Sequence, residues 1–236
     1  MFWGPSRPVA RPLLAAALLA TASAALADIL VVRSTGRSAA GFAPGKRLPE
    51  NARISLKPGD QLTLLDGRGT RVLRGPGTFT AGAPSAGAAP SSGPASRRAR
   101  IGAVRGTGIV ELRPPSIWHV DVSKSSNVCV ADPSKLTLWR PDAAKALSLD
   151  IAVPGGRSKR LIWEAGSTTL AWPTDLPVSD GARYRLSWRG GPAPTALRFR
   201  TVPATPAGLE DIAQTLIRNR CEAQLDLFIE TVTLPG

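Results

Sequence analysis

Hydrophobic and polar positions change period along this chain, and the changes divide it. From Asp28 to Phe79 the apolar residues fall in short β-like runs. "DILVVRST" is compact and rich in β-branched residues. "ARISLK" places Ile54 and Leu56 on one face, "DQLTLL" places Leu62 and Leu64 on one face, and "TRVLR" follows. Between the second and third runs lies Lys57-Pro58-Gly59-Asp60, with proline and glycine where a type II turn requires them. The pattern predicts strands at 52–57, 60–65 and 70–74, paired as a meander. The glycines of "DGRGTRVLRGPGTF" then read as hairpin punctuation. No helix start follows Gly67-x-Gly69, and Val72 stands where a dinucleotide fingerprint needs its third glycine. "GFAPGKR" also fails as a phosphate loop, because three residues separate its glycines and Arg47 replaces the required Ser or Thr.

A second β block begins at "IWHVDVS", where Trp118, Val120 and Val122 point one way and His119 and Asp121 the other. "NVCV", "KLTLWR", "ALSLDIAV", "KRLIWE", "TTLAW", "ARYRLSW" and "ALRFRTV" follow, several of them separated by turn residues. About seven short alternating strands are the signature of an immunoglobulin-like sandwich. Trp139, Trp163, Trp172 and Trp188 are candidate core aromatics, with a stacking platform for sugar rings as the functional alternative.

The blocks are joined by "AGAPSAGAAPSSGPAS", which holds only Ala, Gly, Pro and Ser and leads into the basic cluster Arg97, Arg98 and Arg100, which are candidate binding residues. Such a composition cannot offset its ordering entropy, so residues 81–100 are expected to be a flexible insertion. After Thr205-Pro206 the period becomes helical. Leu209, Ile212, Ala213, Leu216 and Ile217 form one stripe, continued by Cys221, Leu225, Phe228, Ile229 and Val232. Pro206 suits the first helical position, and a break near Asn219 is open. The stripe must cover something, and the sandwich is the nearest candidate, ahead of a partner protein. The expected fold class is mainly β. It comprises a small β module at 28–80, the insertion at 81–100, a β-sandwich at 101–204 and a helical segment at 205–236.

The amino terminus carries Arg7 and Arg11 before an apolar run from Leu13 to Leu19, then Ala25-Leu26-Ala27. This is the layout of a secretory signal peptide, with cleavage expected between Ala27 and Asp28. The run is shorter than the roughly 20 residues a membrane span needs, so no stable transmembrane anchor is expected. The Ala, Gly, Pro and Arg bias points to a GC-rich bacterial genome, and the expected location is periplasmic or secreted.

Export changes what the charge means. The chain has 30 Lys and Arg against 17 Asp and Glu, a net charge of +13, and only Arg7 and Arg11 lie in the leader. A surface of this kind attracts polyanions. Outside the cytoplasm these are anionic envelope polymers and headgroups rather than nucleic acid. Export also places Cys129 and Cys221 in an oxidising compartment, and a disulfide between them would staple the terminal helix to the sandwich.

Candidate chemistry is sparse. His119 is the single histidine and shares a strand face with Asp121, but no nucleophile elbow accompanies the pair. Two cysteines and one histidine without close spacing do not form a zinc cluster. Glu210-Asp211 reads as helix-start charge. No catalytic, metal or cofactor site is expected, and a hydrolase using His119 and Asp121 ranks last among the alternatives.

The segment "GKRLPENARISLKPGDQLTLLDGRGTRVLRGPGTF" resembles the FecR-type periplasmic domain over about residues 29–80. Leu48, Ile54, Gly59-Asp60, Asp66-Gly67 and Gly75-Pro76-Gly77-Thr78 occupy that family's recurring phrases. A classical FecR regulator has a cytoplasmic amino-terminal region and a transmembrane helix. Here a cleavable leader stands in their place, so the anti-sigma role does not transfer. The resemblance implies an envelope interaction module without catalytic residues. The leading expectation is a non-enzymatic exported protein that binds an envelope protein or an anionic envelope polymer. A carbohydrate-binding protein using the tryptophans is the alternative.

Overall fold

A computed structural model of the protein describes Met1 and residues 28–83, 113–153, 156–203 and 208–233. Residues 2–27, which include the expected signal segment, and residues 84–112, which hold most of the Ala/Gly/Pro/Ser tract, lie outside the described residues. The fold is mainly β, with two short helices near the carboxyl end.

The first unit is built on β1 (Asp28–Thr35). Its four consecutive buried residues explain the compact "ILVV" run. Such a run marks a strand covered on both faces. Ile29 and Val31 enter one apolar cluster and Leu30 and Val32 another. β4 (Gln61–Asp66) behaves alike, sending Leu62 and Leu64 to the first cluster and Leu65 to the second. With β2 (Arg47–Pro49) and β5 (Gly69–Arg74) they form a sheet ordered β2-β1-β4-β5.

The predicted turns are present, but the predicted meander is not. Asp60 N–H donates to the Lys57 carbonyl at 3.0 Å, and Gly59 takes φ +83°, as the turn requires. Yet β3 (Arg53–Leu56) does not pair with β4. It pairs with β6 (Gly77–Thr80) in a separate ribbon. The reason is burial, since both edges of β4 are occupied by β1 and β5. The ribbon instead covers one sheet face, burying Ile54 and Leu56 against Leu62 and Leu64. Gly67 and Arg68 connect β4 to β5 as a hairpin, with Asp66 opposite Gly69. Gly75 has a different role. A Cβ there would lie 2.1 Å from the Lys57 carbonyl oxygen, so the returning chain can pass only as glycine.

Two carboxylates tie these turns together. Asp60 accepts from the Lys57 N–H at 2.7 Å and from the Ser38 N–H at 3.4 Å. Its carboxyl is held below the usual range, first by the Ser38 side chain and then, against the opposing effect of burial, by these backbone N–H groups. Burial raises the Asp66 carboxyl, but hydrogen bonds from Arg68 and Arg71 outweigh it and the net direction is down. Depressed native values mean that this stability is present above the unfolded carboxylate range of about 4 and is lost as pH falls through the native values. Melting curves should therefore be flat from neutral pH to about 5 and drop below about 4. The Asp60→Asn and Asp66→Asn double variant should flatten that drop, and an unchanged acid limb would refute the assignment.

The second unit contains β7 (His119–Asp121), β8 (Ser126–Val130), β9 (Thr137–Trp139), β10 (Leu147–Ala152), β11 (Ser158–Trp163), β12 (Thr169–Ala171), β13 (Arg183–Trp188) and β14 (Thr195–Thr201). They form a five-stranded sheet, β11-β10-β13-β14-β8, and a three-stranded sheet, β12-β9-β7, around one core. The first edge is split: β7 pairs with β9 in one sheet, and β8 crosses to pair in parallel with β14 in the other. Tyr184, near the start of β13, donates its hydroxyl to the Pro177 carbonyl at 2.6 Å, seven residues upstream. Such a tyrosine corner is a feature of immunoglobulin-like sandwiches.

The helical stripe breaks after Asn219. α1 (Leu209–Arg218) has Gly208 at its N-cap, so helix begins downstream of Pro206, which lies outside the described residues. α1 ends with Arg220 N–H bonded to the Ile217 carbonyl and Cys221 N–H to the Leu216 carbonyl. Arg220 is left-handed at φ 55°. This is a Schellman ending, with arginine where glycine is usual. The turn re-aims the stripe. α1 packs on β1 and β4, whereas α2 (Glu222–Thr231) packs on β8. Leu30, Val32, Leu65, Leu216, Leu225 and Phe228 form a cluster that also reaches Cys129 of the sandwich. The helices therefore lie between the two β units and cover both, not the sandwich alone. The carboxyl end closes the β5 edge, where Thr70 N–H donates to the Val232 carbonyl at 2.9 Å.

Candidate binding groove

Alternation along β8 sends Val128 and Val130 into the sandwich core and leaves Cys129 facing α2. Cys129 and Cys221 are joined, with Cα atoms 5.9 Å apart. Gln224, one turn further along α2, reaches the same strand. Its Oε1 accepts from the Cys129 N–H at 2.6 Å, and its Nε2 donates to the Cys129 and Ile117 carbonyls at 2.9 and 2.7 Å. β8 is an edge strand, and this amide takes the place of a neighbouring strand.

With α2 fixed there, a groove of about 1260 Å³ opens between its outer side and the outward face of β8, β14 and β13. Strand alternation sets the floor. Tyr184, Leu186, Leu197 and Phe199 point into the core, so Arg183, Arg185 and Arg198 point outward. Arg183 lies directly opposite Arg198, and Arg185 opposite Ala196. Arg198 in turn lies opposite Asn127 of β8. The helical wall carries Glu222, Asp226 and Glu230 at intervals of one turn. Asp226 pairs with Arg33, and Glu230 pairs with Arg113 at 2.6 Å. Elsewhere on the sheet face, Arg160 pairs with Asp150 and Arg200 with Asp180. Among the described residues, Arg183, Arg185 and Arg198 have no acidic partner.

The four tryptophans singled out from sequence lie elsewhere. Trp163 is fully buried, with the Arg140 guanidinium 5.0 Å from its ring centre. Arg140 donates to the carbonyls of Ser167, Lys145 and Glu164, and its burial pushes its pKa down. Trp172 meets Tyr184 and Phe199 edge-on at 4.9 and 5.0 Å. Trp139 is buried, and Trp188 is half-buried with its ring 6.0 Å from that of Trp163. These four rings are packed into the sandwich and do not form an exposed row. Trp118, one-third exposed before β7, is not among the candidates read from sequence.

His119 and Asp121 line one end of the groove but are not bonded to each other. His119 Nδ1 shares a hydrogen bond with Ser116 Oγ at 2.9 Å, and Asp121 accepts from the N–H and hydroxyl of Ser123. Both are local turn contacts. Asp28 opens β1 at the surface, opposite Pro49, whereas Ala27, Arg97, Arg98 and Arg100 lie outside the described residues. No helix among the described residues is long and apolar enough to cross a membrane.

Sequence reasoning missed the arginine floor. "ARYRLSW" and "ALRFRTV" do show arginine alternating with apolar residues, which marks a charged outer face. Their alignment depends on register, which a one-residue slip would invert. The architecture that emerges is two β units held by a disulfide-anchored helical pair, with a cationic groove beside it. No family model, no curated protein and no solved structure matches the chain.

Proposed function

We propose that this is a non-enzymatic, exported cell-envelope protein that binds an anionic envelope component in the groove between α2 and the five-stranded sheet. The observation that carries the reading is the arginine floor of that groove, which has no acidic partner among the described residues. Opposed like charges on an antiparallel pair destabilise it, by about 0.2–1 kcal/mol. An anionic ligand removes that cost. Arginine suits the purpose, because its planar fork meets carboxylate and phosphate oxygens two at a time. The first unit serves as a FecR-like interaction module. Support for this is the placement of Leu48 and Ile54 in its core and of Gly59-Asp60 at its turn.

Two measurements test the reading. Amino-terminal sequencing of native protein should begin at Asp28, and protein retaining Met1 in the cytosol would overturn export. Co-sedimentation with purified anionic envelope polymer should weaken steeply as salt rises, because exposed charges are screened beyond about 8 Å at physiological ionic strength. The Arg185→Glu and Arg198→Glu double variant should not co-sediment. Undiminished binding by that variant would move the function away from the groove.

A further inference from the structure

Resting on the groove as the binding site, we infer that Arg183, Arg185 and Arg198 form a phosphate-binding site. The ligand class is a phosphate group carried by an envelope molecule. Three observations converge on it. The first is register: Arg183 and Arg198 are directly opposed, which puts their Cβ atoms about 5 Å apart. Arg185 lies two residues along the same face, about 7 Å from Arg183 and diagonal to Arg198. Three long side chains from two rigid strands can therefore reach one point above the sheet.

The second is the absence of any acid among the described residues that pairs with them, although acids are close. Asp226 and Glu230 are engaged by Arg33 and Arg113, and Asp150 by Arg160. Glu222, in the first turn of α2, is the remaining acid of the helical wall. The third is Arg198 itself. It is half-buried, and its Nε is closed off from solvent without a hydrogen-bond partner among the described residues. The described fold leaves this donor unsatisfied, and an anion that draws the guanidinium outward would relieve it.

The number of arms selects the ligand. A carboxylate presents two coplanar oxygens, and a single guanidinium fork satisfies them. A phosphate presents tetrahedral oxygens and up to two charges, so three convergent guanidiniums match both its shape and its charge. Asn127, opposite Arg198, is held by its own bond to the Arg220 carbonyl at 3.2 Å and so borders the site on the β8 side.

The test uses the full chain, with calorimetry and thermal melts at matched ionic strength. The probes are sodium phosphate, glucose 6-phosphate, sodium acetate and polyglutamate. Phosphate and glucose 6-phosphate should bind and raise the melting temperature, and acetate should do neither. The triple variant R183Q/R185Q/R198Q should bind phosphate at least about tenfold more weakly, or about 1.4 kcal/mol. It should also melt higher than the parent without ligand, because the like-charge repulsion is gone. A control triple, R37Q/R74Q/R218Q, removes equal charge from exposed positions elsewhere and should bind as the parent does.

Equal binding of acetate or polyglutamate would overturn the phosphate site while leaving an anion-binding groove. An equal loss in both triple variants would overturn the site as a localised one. Failure of every anion to bind would overturn both the site and the groove reading. Vesicles of phosphatidylcholine with and without phosphatidic acid identify the source. Binding that requires phosphatidic acid and is displaced by glucose 6-phosphate assigns the site to a lipid headgroup. Soluble phosphate binding without vesicle binding assigns it to a phosphorylated soluble or polymeric ligand. Vesicle binding that persists in R183Q/R185Q/R198Q overturns the site.

Discussion

Replacing Cys221 by serine is expected to lower stability by about 4–5 kcal/mol and the melting temperature by roughly 10–20 °C. The bond spans 92 residues of sequence, so its loss frees a long loop in the unfolded chain. Its position sharpens the effect. Cys221 is the N-cap of α2 and follows directly on the turn that ends α1, so the bond pins the corner of the helical pair to β8. Releasing that corner loosens α2 from the sandwich and α1 from β1 and β4 together. Leu209, Ile212, Leu216 and Phe228 should become accessible, with a rise in hydrophobic-dye binding and in aggregation. Free-thiol titration of unfolded, unreduced native protein should first find none. Two free thiols, or a variant that melts with the parent, would mean that the bond does not hold the helices.

How far the sequence carries depends on whether a feature is local. The two-sided burial of β1 is legible in "ILVV", and the helical stripe in Leu209, Ile212, Ala213, Leu216 and Ile217, because each depends on period alone. The Pro58-Gly59 turn is legible because its backbone angles demand those residues. What that turn connects is not legible. β3 and β4 flank it without pairing, because β4 gains more from β1 and β5 on its two edges. The tryptophans pose the same problem in another form, since alternation places them on a face without saying whether another layer covers it. The arginine floor depends on register between strands, and the helical wedge depends on the packing of two distant β units. Both arise only when the chain closes on itself.

That closure turns on Gln224, and Gln224→Glu should be among the most damaging single changes at neutral pH, at about 3–5 kcal/mol. The amide now supplies one acceptor to the Cys129 N–H and two donors to the carbonyls of Cys129 and Ile117. A carboxylate keeps the acceptor, loses both donors and sets negative charge against two carbonyl oxygens at a buried position. Burial and those oxygens raise the folded pKa of the new carboxyl above its unfolded value of about 4.3. The sign follows from linkage. The folded variant holds its proton more tightly than the unfolded chain, so the penalty is absent below about pH 4 and grows as pH rises through the folded value. Below that value the carboxyl regains one donor, and one carbonyl is satisfied again. The parent behaves oppositely, losing stability in acid as Asp60 and Asp66 take up protons. Urea unfolding across a pH series should therefore show the two proteins far apart at pH 7 and converging towards pH 4, with Gln224→Leu displaced by an amount that does not change with pH. A constant gap for Gln224→Glu would mean that its carboxylate escapes to solvent. The β8 edge would then not depend on this side chain for its closure.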